Sequence, residues 1–227
     1  MIQANFIEVL ELLEKDKKIY EIFKECPYQI LKTIKLKSYP AGKFCLDQGY
    51  IHENFYIIVD GEVDIFVDSD RGKKYYLTTY GKGRFIGELE LYEKSPYMSR
   101  VVSDGKITVL EIEREQCIKW LELDHNFNQY VLKTLCNVTY ISMRNMGDNA
   151  LYTLKQRICQ FLIDNISEKS NHSKIVNAEF LSERMSVTKR SVNRVLRELK
   201  DKDILEIEKS NVIIKNLELL LKEKYED

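Results

Sequence analysis

The sequence predicts an α+β chain in three parts: a β-rich amino-terminal domain, one long helix, and a carboxy-terminal winged helix-turn-helix. Three observations carry that expectation. From Ile34 to Ile112 short apolar runs of period 2 are separated by Gly, Asp, Asn and Ser, the texture of many short strands. Residues 124–146 hold an apolar stripe at helical spacing. Residues 148–227 then read as helix, helix, turn, helix and two short strands.

At the amino terminus Phe6, Leu10 and Leu13, then Ile19, Ile22 and Phe23, recur at helical spacing up to Pro27, which supports one or two short helices. The β-type runs are Phe55–Val59, Val63–Val67, Tyr75–Thr79 and Ile107–Ile112. Asp60-Gly61 between the first two reads as a hairpin, because a type I′ turn needs positive φ. Ser69 to Gly72 reads as a second turn. Short strands with no helices between them indicate a β-sandwich, roll or barrel.

A short helix from Glu113 to Leu121 follows, then the long one from Asp124 to Met146, with Asp124 as its N-cap. Phe127, Val131, Leu135, Val138 and Ile141 form its stripe. About 22 residues make a rod of roughly 33 Å, long for a helix lying on a small barrel. A coiled-coil-like seam with a second copy is therefore expected, giving a homodimer. Gly147-Asp148-Asn149 is the expected hinge, which divides the chain into a sensing domain at 1–123, a dimerisation helix and hinge at 124–147, and a DNA-binding domain at 148–227. That last part is expected to run through a helix from Leu151 to Ile166, a polar loop, a short helix from Ala178 to Arg184, and a turn at Met185-Ser186. After the next helix, Ile204–Ile207 and Val212–Ile214 flank Lys209-Ser-Asn211 and read as a two-stranded wing.

The helix from Val187 to Lys200 carries the chemistry. Val192, Val195, Leu196 and Leu199 form one apolar stripe, while Arg190, Asn193, Arg194 and Arg197 follow the same spacing on the other side, with Lys189 beside them. These fourteen residues hold five Lys or Arg and one acid, within a chain of net charge −1. Long donors on one face of a short helix suit the DNA major groove, which admits a single α-helix. Thr188 can cap this helix and aim its first turn at the groove.

Composition limits the alternatives. Apolar residues at 44% and charged ones at 31% fit a globular chain, and no apolar run approaches the roughly 18–20 residues of a spanning helix. The first residues lack a basic start and a cleavage site, so a cytoplasmic protein is expected. Five scattered cysteines and three scattered histidines indicate neither a disulfide framework nor a metal cluster.

Two stretches sharpen the picture. Gly83-Arg-Phe-Ile-Gly-Glu-Leu89 resembles a phosphate-binding cassette and Val187 to Leu199 a recognition helix, and in this order, with a long helix between, they resemble the cyclic-AMP receptor protein/FNR superfamily of bacterial transcription regulators. The resemblance implies a cyclic-nucleotide-binding-like jelly roll, a homodimer on a two-fold-related operator in double-stranded DNA, a small-molecule effector in the β domain, and contact with RNA polymerase if the protein activates. It places Glu88 on the ribose hydroxyl of a cyclic nucleotide, backbone amides of Gly87 to Leu89 and the Ser99 side chain on its phosphate, and Ser142 on its base. Met98 stands where the phosphate-pairing arginine is expected, and Arg100 two residues on is a substitute if both lie in one strand. Losing that charged hydrogen bond weakens an anionic ligand by about 10- to 150-fold, so the effector is expected to differ from cyclic AMP or to be absent.

In the DNA-reading helix the resemblance implies that Thr188 and Ser191 meet phosphates and that Lys189, Arg190, Asn193, Arg194 and Arg197 face the groove. Arg190 replaces a family glutamate; arginine donates to guanine where glutamate accepts from cytosine. Two other readings were open on the residues alone. A cupin-like metal enzyme needs clustered histidines, and His52 is isolated among the strands. A ligand-binding regulatory subunit acting through a protein partner would lack salt-dependent DNA binding. No catalytic set and no metal site are expected.

Overall fold

The computed structural model describes residues 2–70, 72, 74–167, 176–185, 187–208 and 211–225. Contacts divide the chain into two units, residues 1–73 with 77–138, and residues 74–76 with 139–227.

The first unit opens with α1 (Ile2–Lys15), α2 (Lys17–Phe23) and α3 (Tyr28–Leu31). Asp16 caps α2, its side chain accepting from the N–H groups of Lys18 and Ile19. Pro27 begins α3 rather than merely ending the helices before it, consistent with its missing N–H. Eight strands follow: β1 (Lys35–Tyr39), β2 (Phe44–Leu46), β3 (Asn54–Asp60), β4 (Val63–Asp68), β5 (Lys74–Tyr80), β6 (Phe85–Ile86), β7 (Arg100–Ser103) and β8 (Ile107–Glu113). They form two four-stranded sheets, ordered β1-β8-β3-β6 and β2-β7-β4-β5, the double-sheet roll that the short strands predict.

Asp60-Gly61 does not close a hairpin, because β3 and β4 lie in different sheets. A type I′ turn needs positive φ at both central residues, and only Gly61 has it, at 86°. Gly61 instead lets the chain pass close under the opposite corner, where a Cβ would come within 2.5 Å of the Lys106 carbonyl.

β3 explains its own unbroken apolar run. Phe55, Ile57 and Val59 face a core shared with the helices, whereas Tyr56 and Ile58 face the core between the sheets. β8 splits likewise, Leu110 and Ile112 to one side and Ile107 and Val109 to the other. A strand buried on both faces needs apolar residues at every position.

α4 (Arg114–Leu123) leads into α5 (His125–Leu151). Asp124 caps α5 as expected, taking the Phe127 N–H at 3.0 Å and the Trp120 indole N–H at 2.7 Å. The expected seam residues Phe127 and Val131 are buried in their own unit, with Leu135 and Val138 packed at its edge. Those four are domain core, whereas the fifth residue of the expected stripe, Ile141, is 48% exposed. The outward face of α5 carries Leu132, Cys136, Tyr140, Met143 and Met146.

α5 also runs through Gly147, Asp148 and Asn149, so the expected hinge is helical. One glycine costs a helix only about 1 kcal/mol, and an Arg144–Asp148 pair at 3.9 Å spans the site. The helix stops at Tyr152-Thr153, where α6 (Leu154–Ser167) begins. Thr153 and Gln156 make a reciprocal capping box there: the Gln156 side chain takes the Thr153 N–H at 2.9 Å and the Thr153 hydroxyl takes the Gln156 N–H at 3.3 Å.

The second unit continues with α7 (Ala178–Met185), α8 (Lys189–Asp201), β9 (Leu205–Glu208), β10 (Asn211–Ile214) and α9 (Leu217–Tyr225). Ile158, Cys159, Leu162, Leu181, Val192 and Leu220 are among the residues that make its core. β9 and β10 pair antiparallel, Asn211 opposite Glu208. Arg71 in the second expected turn, the loop 168–175, Ser186 in the expected helix-to-helix turn, and Lys209-Ser210 at the expected wing tip lie outside the described residues. α9, capped by the Asn216 side chain on the Leu219 N–H, was not expected.

Candidate nucleic-acid interface and effector pocket

α8 is held by its apolar stripe. Val192, Val195, Leu196 and Leu199 are each 5% exposed or less, so the helix can rotate only by pulling four branched side chains from the core. Thr188 sits in extended backbone before α8 and its hydroxyl accepts from the Ser191 N–H at 3.2 Å. With the roll of α8 set by the core and its start set by the cap, Thr188, Lys189, Arg190, Asn193, Arg194 and Arg197 are exposed and Ser191 half-buried. Among the described residues Arg190, Arg194 and Arg197 make no ion pair, while Lys189 reaches Glu179 at 3.5 Å. Three exposed guanidiniums along one face of α8, with no ion-pair partner among the described residues, can take phosphates or base edges.

The far end of α8 is tied down by charge. Glu223 of α9 is buried and pairs with Lys155 of α6 at 2.9 Å and with Lys202, which also lies 3.8 Å from Glu198. The two lysines hold the Glu223 carboxyl below the ordinary range, although burial opposes them. Sequence reasoning missed this cluster; the only signal was a lone acid between lysines near the end of the chain.

In the first unit the candidate cassette, Gly83 to Leu89, contains β6. Gly87 has φ 96° and is packed so closely that a Cβ would lie 2.6 Å from the Tyr97 hydroxyl. Glu88 next to it is half-buried, and loss of water pushes its carboxyl up to about 7, with Glu90 adding repulsion and Arg84 opposing. Leu89 is exposed and Ser99 is buried. Met98 is exposed and precedes β7, so the strand alternation that would align Arg100 with it does not reach that far. Arg100 pairs with Asp47 at 3.4 Å and Asp68 at 3.9 Å. Ser142 is exposed on the part of α5 that belongs to the second unit. The structure therefore groups Gly87, Glu88 and Leu89 with Tyr97 and Glu90, two residues that were not singled out by sequence.

Comparison with known proteins matches the two domains that carry these residues. The family model of the cyclic nucleotide-binding domain matches residues 36–124, and that of the Crp-like helix-turn-helix domain matches residues 156–223. The chain belongs to the Crp/Fnr superfamily. It is a DNA-binding transcription regulator of that superfamily, with a cyclic nucleotide-binding domain and a Crp-like helix-turn-helix domain. The cAMP-activated global transcriptional regulator CRP of Salmonella typhimurium is 20% identical over 191 residues, which cover 81% of this chain and 91% of that protein. A cAMP-dependent protein kinase regulatory subunit of Blastocladiella emersonii is 24% identical over 118 residues, 47% of this chain and 29% of that one. Among solved structures, the c-di-GMP-responsive global regulator CLP of Xanthomonas campestris superposes with a TM-score of 0.73 at 17% identity, covering 88% of this regulator and 99% of CLP. A CooA mutant from Carboxydothermus hydrogenoformans gives 0.68 at 15% identity, covering 89% and 93%. Among the described residues no helix is long and apolar enough to cross a membrane and no group of His, Cys, Asp or Glu is placed to hold a metal ion.

Proposed function

We propose that this regulator works as a cytoplasmic homodimer, not as an enzyme, that reads a two-fold operator with Lys189, Arg190, Asn193, Arg194 and Arg197 facing the groove and Thr188 and Ser191 on phosphates. One observation carries the reading: the stripe that buries α8 and the cap that starts it leave three guanidiniums exposed and, among the described residues, without an ion-pair partner. The outward residues Leu132, Cys136, Tyr140 and Met143 recur at spacings of three and four, which suits a seam between two copies of α5. In this reading residues 1–123 sense, 124–147 dimerise and 148–227 bind DNA. A small-molecule effector contacts Gly87, Glu88, Leu89 and Ser99, and RNA polymerase is a partner if the protein activates. DNA binding measured from 50 to 200 mM salt tests it: log K should fall linearly with log salt. A salt-independent interaction, or a monomer at micromolar concentration, would favour a protein partner in place of DNA.

A further inference from the structure

A buried hydroxyl packed against the cassette has no hydrogen-bond partner among the described residues. Tyr97 is 4% exposed, and among the described residues its hydroxyl has no hydrogen-bond partner. It lies against Gly87, with the Asn54 carbonyl also close to that glycine, and His52 packs edge-on to its ring at 4.6 Å. A hydroxyl buried without a partner is costly unless something completes it.

The charges around it have the wrong sign for a phosphate. Glu88 directly follows Gly87, against which the Tyr97 hydroxyl packs, and the Glu90 side chain reaches back to the residue after Tyr97. Glu90 Oε1 already accepts the Met98 N–H at 3.4 Å, a backbone donor that an anionic ligand would otherwise use. The cations nearby are committed: Arg84 lies over the Tyr80 ring at 4.3 Å and opposes Glu88, and Arg100 pairs with Asp47 and Asp68. Met98 adds no charge.

We infer that Glu90 is this chain's own anion in the cassette, closing it to phosphate-bearing effectors, and that the pocket takes a neutral or cationic hydrogen-bonding ligand at the Tyr97 hydroxyl and the Glu88 carboxyl. The inference rests on residues 83–100 being an effector pocket. Its polarity follows from geometry: a ligand that donates to Glu88 and bonds Tyr97 completes the orphan group without bringing a third anion beside two carboxylates.

The test is calorimetric titration of cyclic AMP and of adenosine, which keeps base and sugar without phosphate, into full-length parent, Glu90→Gln, Met98→Arg and the double variant. Thermal melting and DNA binding check that each variant is folded. With Glu90 present an arginine at 98 is neutralised, so the double variant should bind cyclic AMP at least about tenfold more tightly than Met98→Arg alone, the gain of one charge-assisted hydrogen bond. Adenosine should change by less than about threefold across the four proteins and should bind the parent more tightly than cyclic AMP does, since it brings no unpaired charge. Tyr97→Phe should weaken adenosine by about threefold or more, the loss of one neutral hydrogen bond. Equal cyclic AMP affinity in Met98→Arg and the double variant, a parent that prefers cyclic AMP, or unchanged adenosine binding in Tyr97→Phe would overturn the inference. If neither probe binds any of the proteins at millimolar concentration, the effector-pocket reading itself falls, and the inference with it.

Discussion

Replacing Glu223 with Gln keeps the shape of α9 and removes the charge that joins it to α6 and to the end of α8. Breaking a fully buried ion pair costs about 3–5 kcal/mol because the surviving partner stays dry. Here the survivors are Lys155 and Lys202, with side chains 20% and 44% exposed, so both can regain water. Solvent screening brings the expected cost down to about 1–2 kcal/mol. In a unit of this size each kcal/mol shifts the melting temperature by about 4–8 °C, so calorimetry at pH 7 should show the carboxy-terminal transition about 5–15 °C lower. The sign with pH follows from the lowered folded pKa. Stability from Glu223 is complete above its ordinary unfolded value of about 4.5 and is lost as pH falls through the lower folded value. Parent and variant should therefore converge on acidification below about pH 4. A difference at pH 7 under 1 °C, or one that persists undiminished in acid, would refute the electrostatic account of how α8 is anchored.

Arg190→Ala should cost about 1–3 kcal/mol on the preferred operator and relax selection at one base pair of each half-site, read by competition binding against single-base variants. Uniform weakening on every sequence would make Arg190 a phosphate contact. Thr188→Ala removes the acceptor for the Ser191 N–H and should destabilise the carboxy-terminal unit by about 1 kcal/mol, with Thr188→Asp recovering most of it in the same melting experiment. Gly87→Ala places a methyl against the Tyr97 hydroxyl at a φ of 96° and should lower the melting temperature of the β domain, by more than about 1 kcal/mol of stability, while leaving salt-dependent DNA binding in place.

Much of this was legible because burial writes itself into periodicity. The stripe of α8 and its Thr188 cap were readable residue by residue, since both are local features of one helix. The two-sided burial of β3 shows as an unbroken apolar run, but which strand it pairs with is a long-range fact. Asp60-Gly61 therefore looks like a hairpin and is a crossing between sheets. The stripe of α5 was visible but not its partner, because helical spacing says that a face is covered without saying by what. Gly147 reads as a breaker, yet α5 continues to Leu151, and the Thr153/Gln156 capping box, a plain sequence signal, marks where the next helix starts. In the pocket Glu88 stood out through resemblance, whereas Tyr97 and Glu90 gained meaning only once the fold placed a hydroxyl and a carboxylate beside Gly87.

Selection of bound fragments from random double-stranded DNA, performed with the full-length protein and with Arg190→Ala, addresses the recognition surface most directly. The parent should enrich an inverted repeat whose half-sites are centred about 10–10.5 base pairs apart, with guanine at one position of each half that loses its preference in the variant. Enrichment of no motif, or of a motif unchanged by Arg190→Ala, would contradict the assignment of α8 as the base-reading helix.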